Sequence, residues 1–104
     1  MGPGRSRFAI DAAARTALGE AGMAEAFGHG TGHGLGLEIH EDPRIARHRA
    51  GDEADEAVAP GMVFTIEPGA YFPGWGGVRI EDDVAVSGTG VQLLTGVTTE
   101  LLEL

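Results

Sequence analysis

The sequence has no cysteine and no lysine, and its only six-membered or indole rings are four phenylalanines, one tyrosine and one tryptophan. Without cysteine, disulfides and thiolate zinc sites are excluded. Any metal would have to be held by His, Asp and Glu. Without lysine, seven arginines face 16 acidic residues, for a formal net charge of −9. Such a chain offers no general basic field, so nucleic acid is not expected as a partner. The excess acid reads first as a solubility device. The sharper alternative is that some carboxylates gather round cations. No apolar run approaches the roughly 18 residues of a membrane span, so no membrane partner is expected. The opening MGPGRSRF has no signal-peptide core, and a cytoplasmic location is the expectation.

What is abundant is glycine, 18 residues in 104. The glycines are scattered among Val, Ile and Leu, as at turns and close backbone approaches. At this length the chain is one small domain or a piece of a larger one. Over residues 6–21 the positions Ile10, Ala13, Ala14, Ala17, Leu18 and Ala21 recur at helical spacing and predict one apolar face. Ser6 is a candidate N-cap and Gly22 a candidate stop.

After Phe27 the period becomes two. Leu35, Leu37 and Ile39 alternate with Gly36, Glu38 and His40, which predicts a strand broken by Asp42-Pro43. Residues 46–57 read as a polar, solvated connection. Turns are predicted at Pro60-Gly61, at 73–77 and at 87–90. Strands are predicted from Met62 to Ile66, from Val78 to Val86 and from Val91 to Thr95. One helix followed by mostly antiparallel strands gives an α+β class.

The chemistry-bearing residues cluster. His29, His33 and His40 fall within twelve positions, in GHGTGHGLGLEIHE. A phosphate loop fails on spacing, because neither GxGxxG nor GxxxxGK[ST] can be laid over these glycines. A helical zinc motif fails because HExxH is absent. Glu67 ends the most apolar run, MVFTI, where a carboxylate is costly unless paired or bound to a cation. Glu81 follows Ile80 in VRIED, and Arg79 two positions back should share its face. Imidazole with carboxylates forms an N/O donor set suited to Mn²⁺, Zn²⁺, Co²⁺ or Fe²⁺. Carboxylates can also bridge two ions, as in two-metal hydrolytic sites.

The stretches HGTGHGLGLEIHEDPRI, GMVFTIEPGAYFPGWGGVRIEDD and GVQLLT resemble the C-terminal half of the pita-bread metallopeptidases. The branch they resemble most is that of the Xaa-Pro aminopeptidases and Xaa-Pro dipeptidases (prolidases). The helix segment PGRSRFAIDAAARTAL is similar as well, so the resemblance covers nearly the whole chain. It implies that residues 1–104 are the C-terminal portion of a peptidase catalytic domain. It implies His33, Glu67 and Glu81 as metal ligands, with Glu81 bridging two divalent ions, manganese being the expected metal and zinc, cobalt or iron the alternatives. His29, His40 and Glu67 would be catalytic: the histidines would stabilise the tetrahedral intermediate, and Glu67 would take the proton of the nucleophilic water. Arg79 would stand behind Glu81. The substrate would be a peptide or dipeptide with proline second, and the full-length form a homo-oligomer. His48 matches nothing and is expected at the surface.

One departure accompanies the match. The family's site also uses two aspartates upstream of this helix, and no segment here resembles them. Asp11, the one aspartate before the histidines, falls in the helix. The sequence is therefore expected to be a C-terminal fragment, weak in metal binding and nearly inactive alone. The competing expectation is a non-catalytic pita-bread binding module or a creatinase-like, metal-free hydrolase.

Overall fold

The computed structural model describes residues 1–52 and 54–103. Helix α1 spans Arg7–Glu20. It starts where it does because the Ser6 hydroxyl accepts from the Phe8 and Ala9 amides, at 3.1 and 3.2 Å. Such a cap contributes about 1 kcal/mol. It stops where Gly22 takes a φ of 78° and the Met23 amide donates to the Leu18 carbonyl at 2.8 Å. That left-handed conformation favours glycine.

Among the described residues seven short strands follow: β1 Gly32–Gly34, β2 Glu41–Ile45, β3 Val63–Ile66, β4 Gly69–Phe72, β5 Gly76–Arg79, β6 Asp82–Val86 and β7 Val91–Leu93. Five form one antiparallel sheet in the order β2-β1-β3-β6-β7, and β4 pairs with β5 alone. The core lies on one face of the larger sheet. Ile10 of α1 meets Ile45, Val58, Phe64, Val84 and Val86 there, with Phe64 and Ile45 fully buried. Phe64 and Val84 are direct cross-strand partners. Strand alternation then turns Thr65 to the opposite face, which becomes the floor of a groove.

Several expectations need correction. Residues 35–40 are not a strand: they bend, and Leu37 and Ile39 lie exposed. Pairing between β1 and β2 explains this. His33 sits opposite Arg44 and Gly34 opposite Glu41, with a register shift between them. The alternating segment is thus the loop joining two paired strands, closed by the Glu38 amide donating to the Glu41 carboxylate at 3.1 Å. Pro43 does not break a strand either. It lies inside β2, an edge strand, where a missing N–H is tolerated.

The single strand expected over Val78–Val86 is two strands in different sheets, with Ile80 and Glu81 between them. The apolar face expected on α1 is only partly used. Ile10 is buried, but Ala13 and Ala17 are exposed. Ala14, Ala17 and Leu18 instead border an apolar groove against Phe72, Trp75 and Val78 of the β4–β5 hairpin. The connection 46–57 is mostly exposed as expected, although Ala46 is buried, and its Glu53 lies outside the described residues. No helix among the described residues is long and apolar enough to cross a membrane.

Candidate active site

Register, more than sequence spacing, assembles the site. In β3 and β6, Ile66 faces Asp82 and Thr65 faces Asp83. One step beyond the strand ends, Glu67 therefore comes opposite Glu81. In β1 and β3, Gly34 faces Phe64, which brings His33 opposite Thr65. His33 is then diagonal to Glu67 on the same face, within reach for long side chains. The distances agree. His33 Nε2 lies 3.4 Å from a Glu67 oxygen, and the Glu67 carboxyl stands close enough to Glu81 to perturb its titration. Arg79 Nε stands 3.4 Å from Glu81, the pairing expected from their spacing, made across the bend between β5 and β6.

Two histidines are oriented by the same local device. His29 Nδ1 contacts the Gly30 carbonyl at 2.7 Å, and His33 Nδ1 contacts the Gly34 carbonyl at 2.9 Å. A carbonyl only accepts, so in each neutral ring Nδ1 carries the proton and Nε2 keeps its lone pair. His33 turns that lone pair toward Glu67. His29 turns it toward the Tyr71 hydroxyl, 3.1 Å away, which donates to it. The His33 amide is tied in turn to Thr65 Oγ1 at 3.1 Å. His40 lies in the exposed loop with its ring centroid 4.3 Å from that of His33. His48 is exposed, edge-on to Phe8, as expected of a surface residue.

The glycines of HGTGHG are there for close approach. A Cβ on Gly32 would collide with the Thr65 carbonyl, and one on Gly34 with the Asp42 carbonyl. Only glycine lets β1 run this near to its neighbours.

The electrostatics follow from crowding like charges. The Glu81 carboxyl titrates above the usual carboxylate range, because of its burial first and then its hydrogen bond and repulsion with Glu67. The Arg79 guanidinium is held even more firmly charged, chiefly by the neighbouring Tyr71 oxygen and then by the charge of Glu81. Two opposed carboxylates are unfavourable together unless they share a proton or a cation. An imidazole lone pair beside such a pair is a donor set that fits a divalent cation of borderline hardness. Among the described residues no three His, Asp or Glu side chains close into a complete metal cage. Glu81 faces Glu67 on one side and Arg79 on the other, so the donors form a chain instead of a ring.

Tyr71 was not singled out by sequence reasoning, nor were Arg15 and Thr31. Tyr71 lies in GAYF between the two glutamates, but a lone tyrosine carries no signal until β4 and β5 fold it against His29. Asp11 does not reach the groove at all. It is 1% exposed and bound to Arg15 and Thr31.

A family profile described as metallopeptidase family M24 matches residues 1–88. The chain is 50% identical over 100 residues to the probable dipeptidase PepE of Mycobacterium tuberculosis, covering 96% of this chain and 25% of that protein. It is 48% identical over 101 residues to the Xaa-Pro dipeptidase of Pyrococcus furiosus, covering 96% of this chain and 27% of that protein. Among solved structures, the Xaa-Pro dipeptidase from Bacillus anthracis superposes with a TM-score of 0.89 at 45% identity, over 98% of this chain and 27% of that one. The chain thus spans about a quarter of the length of the relatives it matches. Its helix and antiparallel strands are the corresponding C-terminal part of the pita-bread fold. On the family match over most of its length, the identity and the shared fold, this chain belongs to metallopeptidase family M24.

Proposed function

We propose that residues 1–104 form part of the catalytic domain of a metal-dependent exopeptidase that hydrolyses the bond between an N-terminal residue and a following proline. His33, Glu67 and Glu81 would hold the divalent metal, with manganese the expected ion. Bound there, a pair of such ions supplies an activated water and polarises the scissile carbonyl. Glu67 would accept the proton of the attacking water, and its contact with His33 keeps it among the donors. His29 and His40 would face the substrate. Arg79 would hold Glu81 in place through its ion pair, as a residue behind a ligand commonly does.

The observation that carries this reading is the 3.4 Å approach of His33 Nε2 to Glu67, with β3–β6 register setting Glu81 opposite Glu67. A lone pair and two crowded carboxyls are a costly arrangement for a structural role and a natural one for a cation. The substrate class rests on the relatives named Xaa-Pro dipeptidase. A cytoplasmic enzyme that acts as a homo-oligomer in its full-length form completes the proposal.

The experiment is Mn²⁺ titration by calorimetry, paired with hydrolysis of an Xaa-Pro dipeptide. The 104-residue chain should bind Mn²⁺ weakly, lose binding in His33→Ala and keep it in His29→Ala. Turnover should be slight, because no segment of this sequence matches the two aspartate ligands that the family resemblance implies. Unchanged Mn²⁺ binding in His33→Ala would sink the ligand assignment. Robust turnover at ordinary enzyme levels would sink the claim that the aspartates are needed. A non-catalytic module of the same fold would show no metal dependence in either assay.

A further inference from the structure

The segment that carries His29 lies outside the strands: residues 28–31 precede β1 and form no helix. The Glu67 amide holds it at the Thr31 carbonyl, and its other side is held from α1. Arg15 reaches across and donates to two carbonyls, that of Phe27 at 3.1 Å and that of His29 at 2.7 Å. Its guanidinium also lies 4.4 Å from the centroid of the Phe27 ring. Arg15 is itself fixed by Asp11, through Nε at 2.6 Å and Nη2 at 3.3 Å. The same Asp11 carboxylate accepts from the Thr31 amide at 3.2 Å and from the Thr31 hydroxyl at 2.8 Å. The carboxylate is 1% exposed, and all its partners are on these two residues. The clamp therefore grips the segment on both sides of His29, at carbonyls 27 and 29 and at residue 31.

An aspartate buried this deeply costs stability unless each lone pair is used. A helix face could have filled the position with an apolar side chain. The guanidinium suits the task because its planar fork makes four hydrogen bonds, to a carboxylate and two carbonyls together, one more than the three donors of an ammonium. The consequence is geometric. With carbonyl 29 and residue 31 fixed, the His29 ring can place Nδ1 on the Gly30 carbonyl and Nε2 at the Tyr71 hydroxyl.

We propose that Asp11 and Arg15 are positioning residues for His29, acting from α1 through the backbone of residues 27–31. The proposal rests on the reading of this groove as a peptidase site, since it assigns His29 a task worth orienting. Neither residue touches the groove's carboxylates.

The test is the His29 ring itself, read in the 104-residue chain by long-range ¹H–¹⁵N spectra of labelled histidine. Wild type should show one Nδ1–H tautomer at His29. Arg15→Lys keeps the charge but loses the fork, and should replace that pattern with the averaged one of a free imidazole. Ile10→Ala is the control for a merely structural role. It removes a core contact from the same helix and should lower the melting temperature while leaving the His29 pattern intact. If Arg15→Lys does not fold, amide exchange in wild type decides. The Thr31 amide should exchange with α1, at least about tenfold more slowly than the exposed loop at residues 37–38.

An unchanged His29 ring in Arg15→Lys overturns the clamp. So does a Thr31 amide that exchanges as freely as that loop, and so does an Ile10→Ala spectrum altered to the same extent. The His33 ring reports separately on the peptidase reading. Mn²⁺ that fails to broaden it overturns the ligand assignment, whereas failure of the clamp leaves that broadening in place.

Discussion

Replacing Gly32 with alanine measures how tightly β1 is pressed against β3. The added methyl would overlap the Thr65 carbonyl. That atom is backbone in a central strand, so no side chain can swing aside and the two strands must part. Two contacts flank the point of overlap. The His33 amide donates to Thr65 Oγ1 at 3.1 Å, and the Glu67 amide donates to the Thr31 carbonyl at 2.6 Å. Losing both costs about 2 kcal/mol at about 1 kcal/mol each. Overpacking adds roughly 1–3 kcal/mol, for a total of about 3–5 kcal/mol. In a domain of this size that lowers the melting temperature by on the order of 15–30 °C. It is a large share of the roughly 5–15 kcal/mol that holds a domain together. Gly28→Ala is the matched control, because nothing lies within 4 Å of a Cβ built there. Thermal unfolding by circular dichroism should separate the two, with Gly28→Ala near wild type. If Gly32→Ala melts within about 2 °C of wild type, the account of why HGTGH needs its glycines is wrong.

The remaining predictions concern pH and the core. Glu81 has a folded pKa raised above its unfolded value, so it keeps a proton that the unfolded chain has released. Its contribution to stability is present at low pH and lost as pH rises through the folded value. A cation must displace that proton, so Mn²⁺ affinity should rise with pH across the same window, and Glu81→Gln should bind more weakly with a flatter profile. Calorimetry at a series of pH values would contradict this if affinity were flat in the wild type. Asp52 is shifted the other way, lowered chiefly by the Arg49 amide and also by Arg44. Its contribution is present above the unfolded pKa and disappears as pH falls through the folded one. Asp52→Asn should therefore lose less stability on acidification than wild type, in melts from neutral to acid pH. Phe64→Ala removes the fully buried centre of the core and should cost about 3–5 kcal/mol in urea unfolding. A loss below about 1 kcal/mol would mean that the core can collapse around the gap.

Local signals were legible where a residue acts through its own backbone. Ser6 and Gly22 bound α1 because capping and positive φ are properties of one residue and its neighbours. The turn at Pro60-Gly61 is formed for the same reason, and the one expected at 73–77 is formed at 73–75, with Gly76 and Gly77 already in β5. The alternation of Leu35, Leu37 and Ile39 misled because period two records side-chain order without recording a partner strand. The partner runs alongside β1 at 32–34, and the alternating residues are left in the loop. The α1 face was overread for a related cause. Helical periodicity marks which residues share a face, but not which part of that face another element covers.

By itself, then, the sequence determined the side-chain types available, the α+β class and the family, because cysteine's absence, glycine spacing and the motifs around His33, Glu67 and Glu81 are all linear. Only the tertiary structure decided how the imidazole and the carboxylates meet. The register of β3 against β6 sets Glu67 across from Glu81, and the register of β1 against β3 sets His33 diagonal to Glu67. The Asp11–Arg15 grip on the His29 segment depends on α1 lying against residues 27–31, up to 20 positions away in the chain. Hydrogen-bonded pairing between distant segments creates those neighbours, and no periodicity within one segment encodes which neighbour it will have.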